Sequence, residues 1–263
     1  GHLNRHLNRH LNRHLKLCDE LTTMTIHTRQ VDYTDGEVDL EGYFASDDAA
    51  SGQRPGILVA HAWSGRSPFE DAKAEALAKL GYAAFALDVY GKGVRGNSAE
   101  ENAALMQPLL DDRALLVQRL RAALDALREQ PEVDALKTGA IGFCFGGLCV
   151  LDLARSGAEV AGVASFHGLF HPPPTKLEST IKARVLALHG WDDPMVPPQQ
   201  VEALAAELTA AGADWQLHAY GSTMHAFTNP QAADPERGTV YDAAADSRSW
   251  IAMKNFFAEL FAD

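Results

Sequence analysis

Apolar positions in this chain gather into short continuous runs, and segments with helical spacing lie between them. The run "GILVAHAW" (56–63) has the unbroken apolar character of a strand buried on both faces. "PFEDAKAEALAKL" follows it and closes on Gly81, as a helix does. "YAAFALDVY" reads as another buried strand, and leucines then recur at helical spacing from about Glu100 to Arg128, which predicts one long helix. "TGAIGF" returns to strand and "GGLCVLDLARSG" to helix. "VAGVASF", "RVLALHG" and "WQLHAY" add three strands, separated in part by a helix from about Gln199 to Ala211, and "SWIAMKNFFAELF" ends the chain as an amphipathic helix. Upstream, "TIHTRQVDY" and "VDLEGYFAS" flank Asp35-Gly36, a dipeptide favoured in tight turns, so the two pair as a hairpin. Eight strands and five or six helices in βα alternation predict an α/β architecture, a mostly parallel, doubly wound sheet flanked by helices.

Length and composition fit that picture. A chain of 263 residues with 46% hydrophobic content can bury one sizeable core, so a single domain over 24–263 is expected. No run approaches 18 apolar residues and no apolar signal-peptide core opens the chain, so neither a membrane span nor secretion is supported and the cytoplasm is the expected compartment. Three cysteines make no paired framework, and a reducing compartment keeps their thiols free. Lys and Arg total 23 against 35 Asp and Glu, a net charge of -12, and no basic stripe interrupts the acidic balance. That argues against nucleic acid and leaves small molecules as the expected partners. Residues 1–23 stand apart: "HLNRHLNRHLNRH" repeats a tetrapeptide three times and sets His2, His6, His10 and His14 along one helical stripe. The pattern is that of a purification tag or vector-derived leader, with Met24 as the natural start; a native amphipathic arm is the alternative.

The chemistry centres on "GFCFGG" (142–147). Gly142, Cys144 and Gly146 fit the G-x-S-x-G nucleophile elbow in every respect except the nucleophile, with a strand entering and a helix leaving. In doubly wound sheets the reactive groups collect on loops beyond the carboxyl ends of the strands. There the loop "GWDDPMVPP" offers Asp192 and Asp193, and "YGSTMHAFTNP" offers His225. Nucleophile, acid, histidine is the chain order of the α/β-hydrolase triad. A free thiol is mostly protonated at neutral pH and only the thiolate attacks well, so a neighbouring imidazole is what a cysteine nucleophile needs. The product would be an acyl thioester, open to water, which favours ester or lactone substrates over amides. Cys149, one helical turn on, reads as core, as do His189 and His218 within apolar strand patterns. His61, His167 and His171 border loops within reach of a pocket. None reads as a metal site, and no cofactor is expected.

The elbow "GFCFGG", the acid loop "HGWDDPMVPP" and the histidine loop "HAFTNP" together resemble the dienelactone hydrolase family of α/β-hydrolases, from about Met24 to the C-terminus. The resemblance implies the α/β-hydrolase fold, with Cys144 as nucleophile, His225 as base and Asp193 as its orienting carboxylate. Asp193 is preferred to Asp192 because family loops read G-x-x-D-x-x-V, here Gly190, Asp193 and Val196. It also implies an oxyanion hole from the backbone N–H groups of Trp63 and Phe145. The chain departs from the family in three places. Members acting on dienelactone carry a glutamate where Ala62 stands, and two arginines where Lys92 and Asn229 stand. A pocket edged by Ala62, Trp63, Arg66, Tyr90, Lys92 and Asn229 is therefore expected to be more apolar and to take neutral, aromatic substrates, aryl phosphotriesters among them, with a standing ion pair between Cys144 and His225. The expected assembly is a monomer or homodimer. A redox-sensing thiol, or a ligand-binding module without turnover, is the alternative on the same fold.

Overall fold

The computed structural model describes residues 25–49, 51–175 and 180–262; the histidine repeat lies outside them. Eight strands form one sheet: β1 (Ile26–Asp35), β2 (Val38–Asp47), β3 (Arg54–Ala60), β4 (Ala83–Ala86), β5 (Val133–Phe143), β6 (Gly162–Phe166), β7 (Arg184–Gly190) and β8 (Trp215–Tyr220). Their spatial order is β1-β2-β4-β3-β5-β6-β7-β8. The first two strands form the expected antiparallel hairpin, which turns at Gly36 (φ 59°) and adds antiparallel to β4. Every pairing from β4 through β3 to β8 is parallel.

Helices cover both faces. Helix α1 (Pro68–Ala78) and the C-terminal α6 (Ala243–Leu260) bury Leu77, Met253 and Phe257 against Ile57, Val59 and Ile141 on one side. On the other, α3 (Arg113–Arg128), α4 (Phe145–Arg155) and α5 (Pro198–Ala210) bury Leu120, Leu151 and Leu204 against Leu58, Ala140 and Val185. Strands sandwiched this way have no polar face, which is why β3 to β7 read as unbroken apolar runs. Among the described residues no helix is long and apolar enough to cross a membrane.

Two expectations are corrected. The single helix from Glu100 to Arg128 is two, α2 (Ala99–Asp111) and α3. Asp112 leaves helical geometry (φ -119°, ψ 86°) and its carboxylate accepts the Leu115 N–H at 2.9 Å, so it starts a new helix instead of continuing the old one. Pro108, with no N–H to donate, weakens the turn just before the break. The leucine spacing also hid a difference in burial: α2 buries only Asn102 and Leu109, whereas α3 buries eight residues. The second correction is an unforeseen hairpin, β9 (Ala233–Asp234) with β10 (Thr239–Val240), too short for any periodicity to reveal.

A buried ionic cluster ties three helices together on one face of the sheet. Asp152 on α4 takes Nε and Nη2 of Arg113 on α3 and, at 3.1 Å, Nη1 of Arg155, whose Nη2 reaches Glu207 on α5 at 2.8 Å. The Asp152 side chain is completely sequestered, so its charge depends on these partners.

Candidate active site

Strand β5 runs into the elbow and α4 leaves it. Cys144, at the corner, has φ 56° and ψ -116°, a conformation an L-residue adopts only when the surroundings enforce it. The glycines do the enforcing. A Cβ on Gly142 would lie 2.0 Å from the carbonyl oxygen of Gly146, and a Cβ on Gly146 would lie 2.1 Å from that of Ala60. The turn can be this sharp only with bare backbone at both positions. Its result is a half-buried Cys144 side chain at the carboxyl edge of the sheet, with Cys149 fully buried one turn below.

The acid loop follows β7. Asp193 is 2% exposed; its Oδ1 accepts the Met195 N–H at 2.8 Å and its Oδ2 accepts Nδ1–H of His225 at 2.7 Å. Asp192 points to solvent, so of the two adjacent carboxylates it is Asp193 that meets the histidine. His225, on the loop after β8, is 1% exposed and pinned through its backbone: its N–H donates to Gly238 at 2.8 Å and its carbonyl accepts from Val240 at 3.0 Å. The unforeseen β9–β10 hairpin is therefore the brace of the histidine. Burial alone would push the imidazolium down, but the Cys144 sulfur and the Asp193 carboxylate outweigh it and raise His225 to about 10. Among the described residues Nε2 of His225 has no hydrogen-bond partner.

A cavity of about 410 Å³ opens over these groups. Cys144 and His225 line it, together with Ala62, Trp63 and Asn229 from the expected set. Arg66, Tyr90 and Lys92 do not, and the reason is ionic and hydrogen-bonding partners elsewhere. Arg66 is held by Asp71 at 2.8 Å and Glu41 at 3.2 Å, Lys92 by Asp32 at 2.7 Å, and Tyr90 donates its hydroxyl to the Trp63 carbonyl at 2.9 Å. Phe145 turns its ring into the core, fully buried against Tyr90, and only its backbone faces the elbow. His61 and His171 stay out of the lining, and His189 is buried with neither ring nitrogen hydrogen-bonded.

One lining residue was missed as a site group, and another was foreseen at the pocket without a role. Glu70, 2% exposed, accepts the Ala62 N–H at 3.2 Å and the Ser67 N–H at 2.9 Å, so a carboxylate does stand beside Ala62, delivered from α1. The signal was present as the capping box Ser67-x-x-Glu70, which reads locally as a helix start. The other is His167, at the carboxyl end of β6, foreseen only as a histidine within reach. Phe69, Met106, Leu169 and Met195 make the apolar part of the remaining lining, and Asp234, Arg237 and Thr239 of the β9–β10 hairpin, with Ser64, Ser67 and Thr228, make its polar part.

Comparison with known proteins agrees with this architecture. The profile of the dienelactone hydrolase family matches residues 40–261. The chain is similar to a solved dienelactone hydrolase-like promiscuous phosphotriesterase from metagenomic libraries, at 41% identity over 90% of this chain and 99% of that one, with a TM-score of 0.86. It is also 41% identical to an uncharacterized protein of Caenorhabditis elegans over 155 residues, 58% of this chain and 98% of that protein. A dienelactone hydrolase from Anabaena variabilis shares the fold at 24% identity and a TM-score of 0.63, covering 89% and 98% of the two chains. With a family profile spanning residues 40–261 over an eight-stranded, mostly parallel sheet, the chain belongs to the dienelactone hydrolase family of α/β-hydrolases.

Proposed function

We propose that the protein hydrolyses neutral, activated esters and lactones through a Cys144–His225–Asp193 triad. The observation that carries the reading is the hydrogen bond from His225 Nδ1–H to Asp193 beside a cysteine held in strained geometry at the elbow. In the forward step the Cys144 sulfur attacks the acyl carbon, and the backbone N–H groups of Trp63 and Phe145 receive the charge that develops on oxygen. The carbon–oxygen bond to the alcohol breaks, His225 hands the leaving oxygen a proton, and an acyl thioester remains. Water then loses a proton to His225 and attacks the thioester, releasing acid and thiol. Asp193 keeps the proton on Nδ1 throughout, leaving Nε2 to face the reaction.

The substrate class follows from the lining. The apolar part of the lining favours aryl and alkyl groups, the Arg237 charge at the lining is paired with Asp234 at 3.7 Å, and the Glu70 carboxylate opposes a substrate that carries its own carboxylate. Aryl phosphotriesters belong in the same class, being neutral, tetrahedral and equipped with a good leaving group; similarity to a promiscuous phosphotriesterase supports including them. Release of the phosphorylated cysteine would then limit the rate. Catalysis is placed wholly within residues 24–263, in a compartment reducing enough to keep Cys144 a thiol, so removal of residues 1–23 is expected to leave turnover unchanged.

The test is a stopped-flow burst with a chromogenic aryl ester, read together with intact mass. A burst equal to the enzyme concentration and an acyl adduct on Cys144 are expected. Turnover that persists in Cys144→Ala at more than about a tenth of the wild-type rate would remove Cys144 as nucleophile, given the losses of orders of magnitude that a triad nucleophile shows. Peroxide-dependent mass change without turnover would instead favour a redox sensor.

A further inference from the structure

A second histidine is built into this site, and its hydrogen bonds define what it can do. His167 is 2% exposed and lies at the carboxyl end of β6, where its backbone takes φ 38°, unusual for any residue with a Cβ. Nδ1 shares the backbone N–H of Cys144, at 3.2 Å, with the Phe166 carbonyl, at 3.1 Å, and Nε2 faces the hydroxyl of Thr228 at 2.8 Å. A backbone N–H can only donate, so Nδ1 must present its lone pair. The ring is then the neutral tautomer with its proton on Nε2, given to the Thr228 oxygen. Both nitrogens are engaged with protein, which leaves neither to exchange protons with substrate.

We propose that His167 is a positioning residue: its neutral imidazole fastens the nucleophile turn to the loop that carries His225, and catalysis requires it in the Nε2–H tautomer. The inference rests on Cys144 and His225 being the reacting pair. Thr228 lies three residues beyond His225 on one loop, and Cys144 heads α4, so the ring spans the two segments whose separation sets the sulfur-to-imidazole gap. The rings of His167 and His225 stand edge-on with centroids 5.2 Å apart, and Phe227 closes the other side at 5.0 Å. A crossbar in this place holds the reacting atoms at a fixed distance.

The surroundings also keep the crossbar uncharged. The titratable and charged groups facing it are Cys144 on the elbow, His225 on the loop after β8 and Lys73 on α1, whose ammonium sits 5.0 Å over the Trp250 ring and 5.5 Å over that of Phe143. Burial, then the His225 imidazolium and the lysine, hold His167 well below the ordinary histidine range. Two neighbouring histidines thus have opposite assignments: His225 gains and loses a proton in each cycle, and His167 stays neutral while it does. A protonated His167 would turn an N–H toward the Cys144 N–H and break the side-chain bond to the elbow, leaving that N–H to the Phe166 carbonyl alone.

The experiment compares His167→Phe, His167→Asn and Thr228→Val with wild type and Cys144→Ala, measuring kcat and KM for a neutral aryl ester alongside melting temperature. Phenylalanine keeps the ring's bulk without either hydrogen bond. Asparagine tolerates positive φ and places an acceptor where Nδ1 stood. A misplacement of the reacting atoms predicts that His167→Phe and Thr228→Val lower kcat by about ten- to a hundredfold with KM changed by less than about threefold. His167→Asn should recover most of the loss. Should His167→Phe fail to fold, Thr228→Val carries the same prediction with a milder change. If the folded variants keep kcat within about threefold of wild type, or if kcat and KM change together by equal factors, the crossbar is refuted. Nitrogen NMR of His167 gives an independent reading: the Nε2–H tautomer is expected across the active pH range, and an Nδ1–H or doubly protonated ring would overturn the assignment. Turnover surviving in Cys144→Ala would sink the parent triad, whereas an inactive Cys144→Ala beside a fully active His167→Phe would sink the crossbar alone.

Discussion

Asp193 divides its carboxylate between two neighbours, Oδ2 accepting Nδ1–H of His225 at 2.7 Å and Oδ1 accepting the Met195 N–H at 2.8 Å. Neither side chain of the Asp193–His225 pair meets solvent to any extent, so the bond is not diluted by competing water. Asp193→Asn preserves the shape but lets the amide donate where the carboxylate accepted, which turns His225 to the wrong tautomer. A fall in kcat of about 10²- to 10⁴-fold is expected with KM little changed, by steady-state kinetics on an aryl ester.

His225 supplies a pH signature. Its folded-state value, about 10, lies above the 6.5 of an unperturbed imidazole. The raised value means the folded protein holds this proton more tightly than the unfolded chain does. The stabilisation is complete below about pH 6.5 and is lost as pH rises through 10. Urea midpoints measured across that window should decline with pH, and the slope should flatten in Asp193→Asn. Removing the sulfur in Cys144→Ala takes away the largest upward influence, so the His225 titration followed by NMR should move to lower pH.

Glu70 makes selectivity testable apart from chemistry. Glu70→Gln keeps one acceptor oxygen, for the Ser67 N–H, gives up the 3.2 Å bond from the Ala62 N–H to the other oxygen, and deletes a charge that faces the cavity. KM for an aryl ester bearing a carboxylate should fall several-fold while KM for its neutral analogue stays put, since only the first experiences the lost repulsion. Equal effects on both substrates would mean that Glu70 acts by shaping the oxyanion loop instead.

The ionic cluster under the elbow predicts a stability effect. Asp152→Ala leaves Arg113 and Arg155 buried without their shared counter-charge. A loss of about 3–5 kcal/mol in unfolding free energy is expected, by chemical denaturation, because an orphaned buried charge costs far more than the intact cluster contributes. Activity per folded molecule should survive, since none of the three lines the cavity.

How far the sequence reached depends on the range of the forces involved. Buried parallel strands announce themselves by composition, and the elbow by its glycines, because both are local necessities. The choice between Asp192 and Asp193 needed family spacing, and the structure settles only which one touches His225. Lys92 is drawn away from the cavity by Asp32 on β1, distant in sequence, and Arg66 by Glu41 on β2 together with Asp71, only five residues on, whose direction is decided by where α1 packs. Glu70 was legible as a cap but not as a pocket wall, since the direction of its carboxylate is decided by where α1 packs. The division at Asp112 was masked by leucines that keep helical spacing on both sides of it.

That division has a mechanical consequence. Helix α2 hangs on one non-helical residue, buries two side chains, and yet carries Met106 into the cavity lining. Hydrogen exchange should open α2 at a fraction of the free energy that protects α3, because so little apolar surface is exposed when it lifts. On the proposed triad the sheet would hold the reacting atoms rigidly while the wall that carries Met106 gave way at low cost, which the exchange measurement checks. A soft partition of this kind would admit bulky and differently shaped substrates with no adjustment demanded of the proposed triad.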